Sequence, residues 1–293
     1  MHLVLHAGLH KTGTTTFQNI VTALQANLLE RDVYVPVADG TANMGYHIVH
    51  PAQRGDWSGY DDVLDDAQAA LTPDGILLVS AEDLENCLFD IEFGRHFMAR
   101  AMAKGVASIR WVFVQRNAFE YFESLYGELS RHQQVLQYDL MADEILARGV
   151  FSCATPRFRW YFMFHYTNAV ERFRKLVCAD AIGMSFSEFT RDAVGAAVFR
   201  LFGREADYSS LHAQVHVEPQ NVRLSPEEIE RRYVATFLRS GEYGAASAER
   251  LQPEEAIVDS LVARRLDVRS QCRPAIMRRF ERELGGLART EGG

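Results

Sequence analysis

The sequence predicts an α/β protein: a parallel sheet flanked by helices on both faces. Three observations predict it. Short apolar runs alternate with stretches of helical periodicity, the pattern of strands crossed over by helices. The first apolar run enters a helix through a Gly- and Thr-rich turn, His6-Ala-Gly-Leu-His-Lys-Thr-Gly-Thr-Thr-Thr16. No internal repeat or low-complexity linker interrupts the alternation in 293 residues, so a single domain with helical additions near the C-terminus is expected.

The elements follow in order. Leu3 to Ala7 reads as a short buried strand, and Phe17, Ile20, Val21, Leu24 and Leu28 place a helix from Thr14 to about Glu30. Val33 to Pro36 is a second short strand; residues 38–59, rich in Gly, Asp, Asn and His, read as irregular. A helix over Asp61–Leu71 stops at Pro73 and Gly75. Ile76 to Ser80 is the clearest strand, followed by a helix over Phe93–Lys104 and a strand over Ile109–Val114. Helices are expected over Ala118–Gln134, Leu136–Ala147 and Phe158–Lys175, the last strongly aromatic and best explained as core packing. Leu176 to Phe186 holds one more strand, Asp192–Phe202 a short helix, and Gly203–Leu224 a loop. Ser225-Pro-Glu-Glu228 starts a helix, with proline and acids in its first turn. The remainder reads as helical and frays from Gly285. Residues 1–225 thus form a core and 226–293 a helical C-terminal extension.

Composition narrows the function. With 47% hydrophobic and 24% charged residues the chain is ordinary globular material, and a net charge of −8 argues against a general nucleic-acid binder. A local basic pocket remains compatible with an anionic ligand. Cys87, Cys153, Cys178 and Cys272 lack metal or redox spacing and read as reduced thiols. No run approaches the roughly 18 apolar residues of a membrane span. The N-terminus has no basic region, and its apolar run is broken by His2, His6 and His10. No secretory signal is expected, and a cytoplasmic location is. Of 31 basic residues only Lys11, Lys104 and Lys175 are lysines. Genomic composition explains most of that bias, yet one of the three lies in the opening turn, where a compact point charge suits an anion.

That turn has the parts of a phosphate cradle. Backbone N–H groups and the positive end of a helix face the ligand; Gly8 and Gly13 permit close approach, Thr14, Thr15 and Thr16 cap or donate, and Lys11 adds a full charge. The order differs from a Walker A loop, because Lys11 precedes the second glycine instead of following it. His6-Ala-Gly-Leu-His-Lys-Thr-Gly-Thr-Thr15 resembles the 5′-phosphosulfate loop of bacterial sulfotransferases, enzymes that use 3′-phosphoadenosine 5′-phosphosulfate (PAPS). The resemblance spans about residues 1–225 and implies a P-loop-like sulfotransferase architecture, with Lys11, Thr12, Gly13, Thr14, Thr15 and Thr16 on the donor.

It also implies a second motif, an arginine after a later strand and a serine eight residues on, both holding the 3′-phosphate. Arg116 and Ser124, in Phe113-Val-Gln-Arg-Asn-Ala-Phe-Glu-Tyr-Phe-Glu-Ser124, have that separation. Independently of the family, an arginine at the carboxyl end of a parallel strand faces the crevice where such sheets bind ligands, and grips phosphate with paired hydrogen bonds. A third contact, Arg223 in Gln220-Asn-Val-Arg-Leu-Ser225, is weaker and reads equally as a helix-entry loop.

Sulfuryl transfer needs a base at the acceptor and positive charge at the leaving phosphate; no metal ligand cluster is visible. Lys11 would supply the charge. Glu82, just past the strand Ile76–Ser80, is the first candidate base; His47, in Gly45-Tyr-His-Ile-Val-His50, is the second. Glu82 reads equally as a helix cap and His47 as a loop histidine, while His10 reads as orienting the loop. Eight arginines between Arg264 and Arg289 read as a solvated helix face mixed with Asp267, Glu281 and Glu283. The expectation is a PAPS-dependent sulfotransferase acting on a hydroxyl or amine of an unidentified acceptor, with carbohydrates and small metabolites among the candidates. The alternatives are a P-loop-type nucleotide-dependent kinase and a non-catalytic nucleotide-binding module.

Overall fold

Leu3, Val4, Leu5 and Ala7 are all at most 1% exposed, and a strand that is apolar on both faces is stable only between neighbours. In the computed structural model, which describes residues 1–37, 45–131, 137–154, 159–216, 224–240 and 255–287, this run is β1 (His2–Gly8). The chain continues through α1 (Thr14–Ala23), α2 (Gln25–Leu29), β2 (Val33–Tyr34), a π-helical turn (Gly45–Val49) and α3 (His50–Gln53). Then come α4 (Ser58–Ala70), β3 (Ile76–Ser80), a 3₁₀ helix (Glu82–Leu88), α5 (Ile91–Ala103), β4 (Ser108–Gln115), α6 (Ala118–Arg131) and α7 (Tyr138–Arg148). The second half holds β5 (Val150–Ala154), β6 (Arg159–Met163), α8 (Tyr166–Leu176), β7 (Ile182–Ser185), α9 (Phe186–Thr190), α10 (Ala196–Arg200), α11 (Glu205–His212), α12 (Pro226–Ser240) and α13 (Glu255–Leu287). No helix among the described residues is long and apolar enough to cross a membrane.

Five strands form a parallel sheet in the order β2-β3-β1-β4-β7, flanked by helices. From β1 the chain goes to the edge strand β2, returns to place β3 between the two, then crosses to β4 and β7 on the other side of β1. Strand order therefore reverses beside β1, the place where open parallel sheets form a ligand crevice at their carboxyl edge. Register aligns His6 with Ser80 on one side and Val112 on the other, and Gly8 with Val114. The segments that leave β3, β1 and β4 consequently open along one edge. Beneath them, Trp111, Phe113, Phe97 and Phe173 pack edge-to-face or stacked, with neighbouring centroids 5.0–6.1 Å apart, which fixes β4 against α5 and α8.

Several elements differ from the sequence expectation. The helix expected over Phe158–Lys175 is a strand followed by a helix: β6 pairs antiparallel with β5, and α8 begins only at Tyr166. Alternation explains it, with Phe162 inward at 2% exposure and Tyr161 outward at 39%; aromatic residues suit a half-buried ribbon as well as a helix. The helix expected from Thr14 to Glu30 is divided between α1 and α2 at Leu24. Part of the segment read as irregular, 45–53, is helical, and α11 lies inside the stretch read as a loop after Gly203.

The C-terminal arginines divide by helix face. Arg264, Arg273, Arg278 and Arg279 are exposed, as a solvated face requires. Arg269 departs from the solvated face expected for these arginines: it is 6% exposed and belongs to a buried ion network. Its guanidinium pairs with Glu123 of α6 and lies 3.0 Å from Glu230 of α12. Arg265, one turn earlier, is 2.5 Å from Glu230 and donates to Tyr126 Oη at 2.6 Å. The four-residue spacing puts both arginines on the inward stripe that also carries Ile276 and Phe280.

Candidate functional site

The site begins where β1 ends. A Cβ on Gly8 would lie 2.0 Å from Thr14 Oγ1 and 3.2 Å from Thr12 Oγ1, so glycine is required for the turn to fold back onto the start of α1. Thr12 and Thr14 are fully buried; the Thr12 hydroxyl donates to the Leu9 carbonyl and lies 3.4 Å from that of Thr14. These two side chains knit the turn together, while Thr15 and Thr16 are half-buried on the first turn of the helix. Gly13 caps α1 at φ 79°, without a side-chain cap, leaving the first-turn amides without intrahelical acceptors. Lys11 itself has φ 64°. A non-glycine residue in the left-handed region costs on the order of 1 kcal/mol or more and persists where the surroundings impose it, as functional loops do.

Arg116 supplies part of that imposition. Standing just past β4, it donates from Nη1 to the Lys11 carbonyl at 3.1 Å, lies 3.2 Å from Glu120, and rests on the Phe186 ring at 4.9 Å. The two sequence motifs, 105 residues apart, therefore meet at one place. Asn117, not Arg116, caps α6: its Oδ1 accepts from the amides of Phe119 and Glu120 at 3.0 and 3.2 Å. Ser124 is half-buried two turns into α6. Glu120, Ser124 and Glu128 recur every four residues and share a stripe of the helix, and Glu128 reaches Lys11 Nζ at 3.1 Å. Lys11 is thus tied at both ends to the segment after β4, its carbonyl to Arg116 and its ammonium to Glu128.

The 3₁₀ helix after β3 carries three carboxylates, two of which, Glu82 and Glu85, reach His10 of the opening loop. Glu82 is 3.1 Å from His10 Nδ1, and Asp83 is 3.0 Å from His50 Nε2. Glu85 is 1% exposed and accepts from the amides of His10 (3.4 Å) and Met163 (3.0 Å), tying the loop to the β5–β6 ribbon. Burial pushes the Glu85 carboxyl up to about 7, against the downward pull of His10 and the two amides. Burial alone would lower His10; the Glu82 hydrogen bond and the charges of Glu82, Glu85 and Asp83 outweigh it and raise the imidazole to about 9. His10 is then a cation near neutrality. Burial would raise Asp83, but the hydrogen bond and charge of His50 and the charge of His10 hold it below the usual carboxylate range.

His47 lies in the π-helical turn, which packs against the 3₁₀ helix bearing Glu82. Gly59 lets the turn settle, since a Cβ there would meet the His47 carbonyl at 2.3 Å. Arg223 lies outside the described residues. Sequence reasoning missed Glu85, Glu128, the His50–Asp83 pair and the Asn117 cap. Only the cap had a local signal, an asparagine immediately before a helical run.

No protein-family model and no curated protein matches the chain. Among solved structures, the chain is similar to a sulfotransferase from Alicyclobacillus acidocaldarius, at 14% identity and a TM-score of 0.39, over 80% of this chain and 90% of that one.

Proposed function

We propose that the protein is a sulfotransferase that moves a sulfuryl group from PAPS to a hydroxyl or amine of a small acceptor. The observation that carries this reading is the meeting of the K-T-G-T-T turn with the Arg116–Ser124 segment, at the carboxyl edge of adjacent parallel strands, through the Arg116 bond to the Lys11 carbonyl. One segment is suited to an anion at the sulfonated end of the nucleotide and the other to its 3′-phosphate.

In the reaction the acceptor oxygen or nitrogen forms a bond to sulfur as the bond between sulfur and the bridging phosphate oxygen breaks. The leaving group is adenosine 3′,5′-bisphosphate, and the acceptor proton passes to a base. Lys11 and the first-turn amides of α1 stabilise the charge that grows on the departing phosphate oxygen, the kind of fixed electrostatic support that dominates phosphoryl transfer. Glu82 is the base favoured by position: its side chain is 28% exposed, and the His10 pair holds its direction. His10, raised to about 9, is better suited to orienting Glu82 and to adding positive charge than to accepting a proton.

Two measurements test the reading. Thermal stabilisation by adenosine 3′,5′-bisphosphate is expected to exceed that by ATP with Mg²⁺; the reverse order points to a kinase. Glu82→Gln is expected to reduce turnover by about 10²-fold or more, the usual contribution of a positioned base, and His47→Asn by less. A larger loss in His47→Asn transfers the base to the histidine. If the nucleotide binds but no acceptor in a labelled-sulfate screen is modified, a non-catalytic binding module becomes the better reading.

A further inference from the structure

Both cations assigned to the donor are met by carboxylates from one stripe of α6, but the two pairs differ in kind. Arg116 and Glu120 are a local pair four residues apart, with Glu120 half exposed, a common helix-surface pattern. Glu128 instead reaches Lys11 across 117 residues of sequence, and both side chains are largely withdrawn from solvent, at 29% and 18% exposure. The same oxygen, Oε2, is also 3.4 Å from Arg131 Nη1. A single carboxylate oxygen thus stands between the loop lysine and a helix arginine. It occupies the ammonium where an incoming anion has to bind, and like charges at that separation repel.

We propose that Glu128 is an anion placeholder at Lys11, which the donor's sulfonated phosphate displaces and which sets the affinity of the site for donor and nucleotide product. Displacement leaves Glu128 with Arg131 as its counter-charge, so the carboxylate is not left uncompensated. No covalent bond changes; one anion replaces another on the ammonium. Glu128 is a positioning residue, acting through Lys11 and not on the reacting atoms. The proposal rests on the reading of Lys11 as a donor-binding group.

The test is calorimetric titration of the full chain with adenosine 3′,5′-bisphosphate at fixed ionic strength, comparing wild type, Glu128→Gln, Lys11→Ala and the double variant. Glu128→Gln is expected to bind about tenfold or more tightly, and that gain is expected to vanish once Lys11 is also replaced. Glu128→Ala, which removes the carboxylate with a different shape, should move affinity in the same direction and covers the case of a poorly folded glutamine variant. Affinity within twofold of wild type in both Glu128 variants, or a gain that survives loss of Lys11, overturns the placeholder while leaving the nucleotide site intact. Absence of binding in wild type and Glu128→Gln alike overturns the nucleotide site, and the placeholder with it.

Discussion

Lys11→Ala is expected to lower turnover by about 10³-fold, with little change in the melting temperature. The magnitude is that of removing a fixed stabiliser of transition-state charge. The stability expectation follows from how the turn is held. Its shape depends on the Arg116 bond to the Lys11 carbonyl and on the Thr12 bond to the Leu9 carbonyl, neither of which uses the lysine side chain. Alanine meets the same strain at φ 64° as lysine does, so the turn should persist without its charge. Arg116→Ala should behave differently. It removes a charged donor from the nucleotide and slackens the turn, weakening binding of adenosine 3′,5′-bisphosphate by about tenfold or more, the usual worth of a charged hydrogen bond. Initial rates of labelled-sulfate transfer, with titration of the nucleotide, separate the two. Ordinary turnover in Lys11→Ala rejects the role given to the lysine.

Arg269→Ala is expected to have the largest effect on stability, about 3–5 kcal/mol. Arg269, Glu123 and Glu230 are 6%, 8% and 0% exposed at their side chains. Removing the arginine leaves two carboxylates buried in the same place, with Arg265 and the hydroxyls of Tyr126 and Tyr138 beside them. Burying an unpaired charge costs far more than the pair contributes when intact. The melting temperature should fall on the order of 10 °C. Replacing Arg265, Arg269, Glu123 and Glu230 together with apolar residues of similar volume should recover much of that loss, because no charge is then stranded. A melting temperature within about 2 °C of wild type in Arg269→Ala would mean that the network is hydrated and contributes little.

What could be read from the sequence was what is written locally. Gly8, Lys11 and Gly13 announce a tight strand-to-helix turn carrying a cation because all their constraints fall within a few residues. The Arg116–Ser124 spacing carries no signal by itself and is readable only because the family resemblance implies it. Strands β1, β3 and β4 are recognisable as apolar runs, since a strand buried on both faces has no other way to look; β7, Ile-Gly-Met-Ser, is not such a run. The β5–β6 ribbon was not, because an aromatic-rich run fits either period until its partner strand is known. Glu128 and Lys11 carry no mutual signal in one dimension; the fold alone brings residue 128 to residue 11. The same holds for Arg265 and Arg269, which differ from the exposed Arg264 only in the angle at which they leave α13.

Helix α6 has two allegiances. Its Glu120–Ser124–Glu128 stripe reaches Lys11 through Glu128, while Glu123 and Tyr126 are bonded to α12 and α13. A fragment trimmed to the first 225 residues would keep Lys11, Arg116 and Ser124 and still strip the brace from behind the helix that carries Glu128. If the proposed transfer is right, its inactivity would say nothing about those residues themselves, and an active fragment would have to retain the tail.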